Sequence, residues 1–197
     1  ADSFFLNGDY ARAADAYGAI FQSGGADRAG GLFFQRILSL IRSGQLEAAG
    51  ALLAKARPEL ELTAEERWEA EWNYLNALKE QDTPGLALDR INRLLGESPE
   101  SILSPELAIR FTWLKARLLL DTGNAAGALD FARTRRASLQ DPPFSLLSQE
   151  LLASVEANLQ LVEGEALYGL DRDDEARTVM EALRTAFPQS GPAILSF

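Results

Sequence analysis

Read for apolar and polar positions, the chain repeats one pattern five times. Each copy is an apolar helix, a turn carrying Gly or Asp, and a second helix with a small Ala about five residues past the turn. The turns are Asn7-Gly8-Asp9, Ser43-Gly44-Gln45, Gln81-Asp82-Thr83, Thr122-Gly123-Asn124 and Leu170-Asp171-Arg172. The alanines are Ala13, Ala49, Ala87, Ala128 and Ala176, spaced by 36, 38, 41 and 48 residues. Two antiparallel helices joined this tightly need a turn residue that tolerates positive φ or caps itself, which Gly and Asp do. Where the helices cross closely only a small side chain fits, which explains Ala. Ala116 and Gly164 are the matching small residues on first helices. Helix starts agree: Thr63-Ala64-Glu65-Glu66 reads as a capping box, and Ser104-Pro105-Glu106 places a cap before Pro at the first helical position. The alternating β-branched runs of a sheet do not occur. The expectation is an all-α chain of antiparallel helix pairs. Gly24-Gly25, Gly96 to Pro99 and Asp141-Pro142-Pro143 then serve as loops between copies. The first helix of the fifth copy, about 145–169, is long for such a repeat and is expected to be broken.

The run Gly164-Glu165-Ala166-Leu167-Tyr168, then Asp171 to Ala176, then Ala186-Phe187-Pro188-Gln189-Ser190 resembles a tetratricopeptide repeat. Asn7-Gly8-Asp9-Tyr10 with Ala13 and Tyr17 resembles the second half of another, and Pro99 occupies the closing position that Pro188 holds in the fifth copy. The spacing starts close to that family's period of about 34 residues and drifts upward. Departures are the extra-looking residue near Thr83-Pro84 and Arg135, where a small or apolar residue is usual. The resemblance implies one right-handed superhelical α-solenoid over 1–197. Its repeats fall at roughly 1–25, 28–61, 63–99, 104–141 and 144–188, with the start of another at 190–197. Solenoids need polar caps at their ends, and neither end offers an obvious one. The chain starts at Ala1 and its one Met is Met180. A processed or excised chain that continues in both directions, or is capped by something else, is therefore expected.

Composition narrows the chemistry. With 47% hydrophobic and 24% charged residues the chain can fold as a globular protein rather than remain disordered. It has no Cys and no His, which removes disulfides, thiolate nucleophiles, the commonest metal ligand and every triad built on His. The net charge of −10 repels nucleic acid and anionic membrane surfaces overall. No apolar run spans a bilayer: Leu114 to Leu120 is interrupted by Lys115 and Arg117. Asp171-Arg172-Asp173-Asp174-Glu175 superficially suggests a calcium loop but lacks the Gly and the bidentate Glu such a loop needs; acidic residues at a helix start are ordinary. Arg133-Thr134-Arg135-Arg136, the one basic cluster, complements a helix C-terminus or meets an acidic partner. No phosphate loop or hydrolase elbow is present, and no cofactor or metal is expected.

Counting back from the alanines places Phe34, Trp72 and Trp113 at equivalent positions on successive first helices. Leu38, Asn76 and Arg117 follow, then Ile41, Lys79 and Leu120. In the family resembled, first helices line a concave groove and these positions face the ligand; alternatively, the aromatics pack between repeats as core. A Trp stripe in a groove would anchor a peptide. The function implied is a non-enzymatic scaffold or adaptor holding a peptide or protein partner. The junction Phe187-Pro188-Gln189-Ser190-Gly191-Pro192-Ala193 resembles those of bacterial cell-envelope members serving outer-membrane assembly, secretion or peptidoglycan synthesis, which favours a periplasmic or envelope location. Two other readings stay open: a regulatory repeat region of a larger enzyme or signalling protein, and a carboxylate-based glycan hydrolase with two facing acids.

Overall fold

The computed structural model describes residues 1–23, 29–55, 62–81, 83–96 and 104–196. Every regular element among them is helical. The chain divides into two compact units, Ala1–Thr83 and Pro84–Phe197. The first contains α1 (Asp2–Leu6), α2 (Tyr10–Gln22), α3 (Ala29–Arg42), α4 (Leu46–Lys55) and α5 (Ala64–Glu80). The second contains α6 (Pro84–Gly96), α7 (Pro105–Asp121), α8 (Ala125–Ala137), α9 (Gln149–Tyr168), α10 (Asp173–Ala186) and α11 (Gly191–Leu195), with short 3-10 turns at Ser138–Gln140 and Phe144–Leu146.

The turns share one backbone solution. Gly8, Gly44, Gly123 and Asp171 adopt φ of 78°, 77°, 80° and 57°. The next residue's N–H then donates to a carbonyl in the last turn of the preceding helix: Asp9 to Phe4 at 2.9 Å, Gln45 to Leu40 at 2.9 Å, Asn124 to Leu119 at 2.9 Å and Arg172 to Leu167 at 3.0 Å. This is the left-handed helix stop that satisfies carbonyls otherwise left open. Thr83 makes the equivalent bond to Leu78 at 3.1 Å; Asp82 itself lies outside the described residues. The following helix then begins in a fixed register. The N–H of Ala13, Ala49, Ala128 and Ala176 closes its first turn on the carbonyl of Asp9, Gln45, Asn124 and Arg172. All five repeat alanines have no exposed surface.

Packing inside each unit follows the chain. In the first, α1 packs on α2, α2 on α3, and α3 on both α4 and α5, which also touch. In the second, α6 packs on α7, and α7 contacts both α8 and α9; α8 packs on α9, and α9 contacts both α10 and α11. Within the units, α3, α7 and α9 thus each meet the helix that follows and the one after it. One column of first-helix positions faces the second helix before it. The Arg36 guanidinium lies where a Cβ on Gly18 of α2 would stand. The Tyr74 hydroxyl likewise covers Gly50 of α4. Glu163 occupies the same column in the second unit and reaches α8.

The long first helix of the fifth copy, about 145–169, is interrupted near its start and continuous after it. Phe144–Leu146 forms a 3-10 turn and Leu147 is extended. Ser148 caps α9 by accepting from Leu151 N, and the helix then runs uninterrupted to Tyr168. Gly164 is the small residue this packing requires: a Cβ there would lie 2.5 Å from Met180 Cε on α10. Thr63 and Ser104 cap their helices as expected, Thr63 through a full capping box. Arg135 stays exposed, its guanidinium 5.2 Å from the Phe131 ring centroid. Asp141, Pro142 and Pro143 connect the two 3-10 turns. Gly24, Gly25 and Pro99 fall outside the described residues.

Tyr17 closes the start of the first unit. It is 2% exposed and its hydroxyl donates to Asp2 Oδ1 at 2.7 Å. Burial, then the Asp2 hydrogen bond and charge, push the phenol up to about 12. A raised native value means that this stabilisation is complete below pH 10, the unfolded value, and is lost as pH rises toward 12. Urea unfolding between pH 9 and pH 12 is therefore expected to show stability falling more steeply for the wild type than for Tyr17→Phe. Parallel profiles would mean that the phenol is not linked to folding.

A second expectation concerns the alanine register. Ala128→Leu forces a large side chain into a fully buried site and should cost about 1–3 kcal/mol. Ala126→Leu, on the exposed side of the same helix, should stay within about 0.5 kcal/mol of wild type. Chemical denaturation of both variants distinguishes a tight crossing from an indifferent one.

Candidate functional site

The stripe counted from the sequence does not present one kind of surface. In the first unit Phe34, Leu38 and Ile41 on α3 are 8%, 4% and 7% exposed and belong to the core. Trp72, Asn76 and Lys79 on α5 are half-buried. Trp72 tilts against Trp68 with ring centroids 5.5 Å apart. In the second unit Trp113 and Leu120 pack against the cluster that includes Ile109, Leu159 and Val162 while keeping part of their surface exposed. Packing inside a repeat and facing outward are therefore combined at Trp113.

Arg117 shows what the stripe becomes between consecutive first helices. Its Nε donates to Asp121 Oδ1 at 2.9 Å on its own helix, and its Nη1 pairs with Glu165 on α9. Glu165 holds the same place relative to Asp171 that Arg117 holds relative to Gly123. Equivalent positions of α7 and α9 are thus direct neighbours. The same count reaches Leu161, which is 6% exposed, and Tyr168, which is 46% exposed. Glu165 and Tyr168 were absent from the sequence-derived stripe although the offset from Asp171 identifies them.

The basic cluster has a more specific role than complementing a helix end. Glu163 on α9 is only 5% exposed. Its carboxylate accepts from Arg133 Nε at 2.8 Å and is also paired with Arg136 Nη1, both on α8. A lone buried carboxylate would be costly, and two guanidiniums offset that cost. Arg133 also approaches Glu175 on α10 at 3.9 Å, and Arg172 holds Glu175 through two bonds of 2.7 Å. Charges alternate from Arg136 through Glu163, Arg133 and Glu175 to Arg172, tying α8, α9 and α10 together. The Arg172 hydrogen bond holds the Glu175 carboxyl below its ordinary range.

Arg133, Arg136 and Glu163 also line a solvent-open cavity of about 300 Å³, completed by Ala137, Gln140 and Glu156. On α7, Lys115 sits 4.9 Å from the Phe131 ring centroid. Burial, then the charge of Arg135, lowers the Lys115 ammonium below its ordinary value. The run Asp173, Asp174 and Glu175 forms the first turn of α10, where negative charge complements the helix dipole. Among the described residues, no group of three or more acidic side chains converges to hold a metal ion, and no helix is long and apolar enough to cross a membrane. No protein-family model, curated protein or solved structure matches the chain.

Because Glu163 is the buried partner and both arginines retain exposure, the triad should respond asymmetrically. Removing both guanidiniums (Arg133→Ala with Arg136→Ala) strands a buried carboxylate and should cost about 3–5 kcal/mol. Glu163→Gln, which leaves two guanidiniums free to rehydrate, should cost clearly less. Equal losses by urea denaturation would show that the burial of Glu163 is not what the arginines offset.

Proposed function

We propose that the chain is a tetratricopeptide-like repeat protein, a right-handed α-solenoid segment, that holds a peptide or protein partner against the exposed faces of its first helices. The observation that carries this reading is the Arg117–Glu165 pair. It makes equivalent positions of two successive first helices adjacent, as a ligand-facing stripe requires. The repeated helix stop and buried alanine support a repeat architecture. On this face Trp113 offers a partly exposed ring on a packed base, and Tyr168 offers a second ring. Arg117 and Glu165 are 37% and 32% exposed in their side chains, so each can exchange part of its mutual pairing for charges of a bound peptide. Aromatic anchors beside switchable charged groups are the composition of binding hot spots.

The reading is tested by selecting peptides from a displayed random library with the purified chain as target, then measuring affinities by fluorescence polarisation. Tyr168→Ala should weaken selected peptides about tenfold or more. Arg117→Ala should weaken them and shift which charged peptides bind. Helicity and melting temperature should stay close to wild type for Tyr168→Ala. Unchanged affinity in both variants would remove this face as the binding surface.

A further inference from the structure

The cavity between α8 and α9 contains a charge arrangement that the peptide-holding face does not use. Its two guanidiniums are already committed in part: Arg133 and Arg136 both pair with Glu163, and Arg133 Nη2 also approaches Glu175 at 3.9 Å. Glu163 therefore acts as an internal anchor that fixes their position. Each guanidinium has five N–H donors in a rigid fork. With side chains 43% and 33% exposed, both keep donors available to a ligand. Glu156 lines the same cavity seven residues before Glu163 on α9, about 10 Å along the helix axis. Among the described residues the Glu156 side chain forms no hydrogen bond or ion pair, although Arg136 lines the same cavity. The half-buried acid is left facing a site whose cations belong to its neighbour. Gln140, at the end of the 3-10 turn after α8, adds an amide that can both donate and accept.

A hydrogen-bond-donating, anion-binding end and a hydrogen-bond-accepting, cation-binding end thus face one space of about 300 Å³. That volume is at the small end of ligand pockets, which run from roughly 300 to 1,000 Å³. A purely anionic ligand would meet the uncompensated Glu156, and a purely cationic one the two guanidiniums. The species that satisfies both ends is a small zwitterion. We propose that this cavity binds a free α-amino acid, its carboxylate taken by the outward N–H groups of Arg133 and Arg136 and its ammonium by Glu156, with Gln140 beside it. Glu163 is the positioning residue. The site is reversible and non-catalytic, and independent of the Trp113 and Tyr168 face.

The test is calorimetric titration of the full chain with the common L-α-amino acids, one at a time, followed by derivatives of the best binder. At least one free amino acid is expected to bind. Its N-acetyl derivative, lacking the ammonium, and its carboxamide, lacking the carboxylate, should each bind about tenfold more weakly or worse. Glu156→Gln should lose binding to a similar extent while its melting temperature stays close to wild type, since the Glu156 side chain makes no hydrogen bond or ion pair in the fold and Gln keeps its shape. Absence of binding by every free amino acid overturns the proposal. So does an N-acetyl derivative that binds as well as its parent, or binding that survives Glu156→Gln.

Discussion

The tight reversal from a first helix into its second is the constraint on which both units depend. A helix leaves unpaired carbonyls at its end and must stop without extending into a loop. Here the stop is a single left-handed residue, Gly8, Gly44, Gly123 or Asp171. Because one residue makes the stop, the next helix starts in a fixed register. The buried alanine then falls at the same place each time. A longer or looser turn would rotate the second helix and carry a larger side chain into that position. Asp171 shows that the conformation, rather than glycine itself, is what is required, since a short polar side chain also tolerates it.

Once the hairpins are set, adjacent hairpins must be told apart, and polar side chains on one column do this. Arg36 covers Gly18, Tyr74 covers Gly50, and Glu163 engages Arg133 and Arg136. Each junction has its own chemistry. A slip that placed Glu163 against an apolar second helix would leave a buried carboxylate without a partner, which is far more costly than a poorly filled apolar contact. The ionic chain through Glu163 therefore contributes to selecting the pairing of α8, α9 and α10 beyond what it adds to stability. The two arginines that perform this task are also the ones that open onto the cavity, so one carboxylate both fixes the packing and orients the donors.

The helices and their tight reversals were legible because they rest on local rules. Turn residues, caps and the alanine period each depend on a few neighbours in sequence, and the left-handed turns, the Thr63 and Ser104 caps and the buried alanines follow them. The place of the interruption in the long fifth first helix was not legible, because Leu147 carries no breaker signal, whereas Gly164 was legible as a small packing residue. Against Met180 the missing side chain is a fit. The candidate stripe was legible as a register but not as a surface. Phe34, Leu38 and Ile41 share the register of Trp113, Arg117 and Leu120, yet the former are buried while the latter keep exposed surface. Exposure is set by what packs on top, and a period cannot report that.

The sequence by itself determined that the chain is helical, where each hairpin reverses, and which small residues lie at the crossings. All of these follow from backbone sterics and short-range hydrogen bonding. Only the tertiary structure decided which charges meet. Arg117 finds Glu165 at a distance of 48 residues and Arg133 finds Glu163 at 30. Nothing within a single helix encodes those partners, because a guanidinium is equally soluble on any exposed face. It becomes specific only when another helix brings a carboxylate within reach.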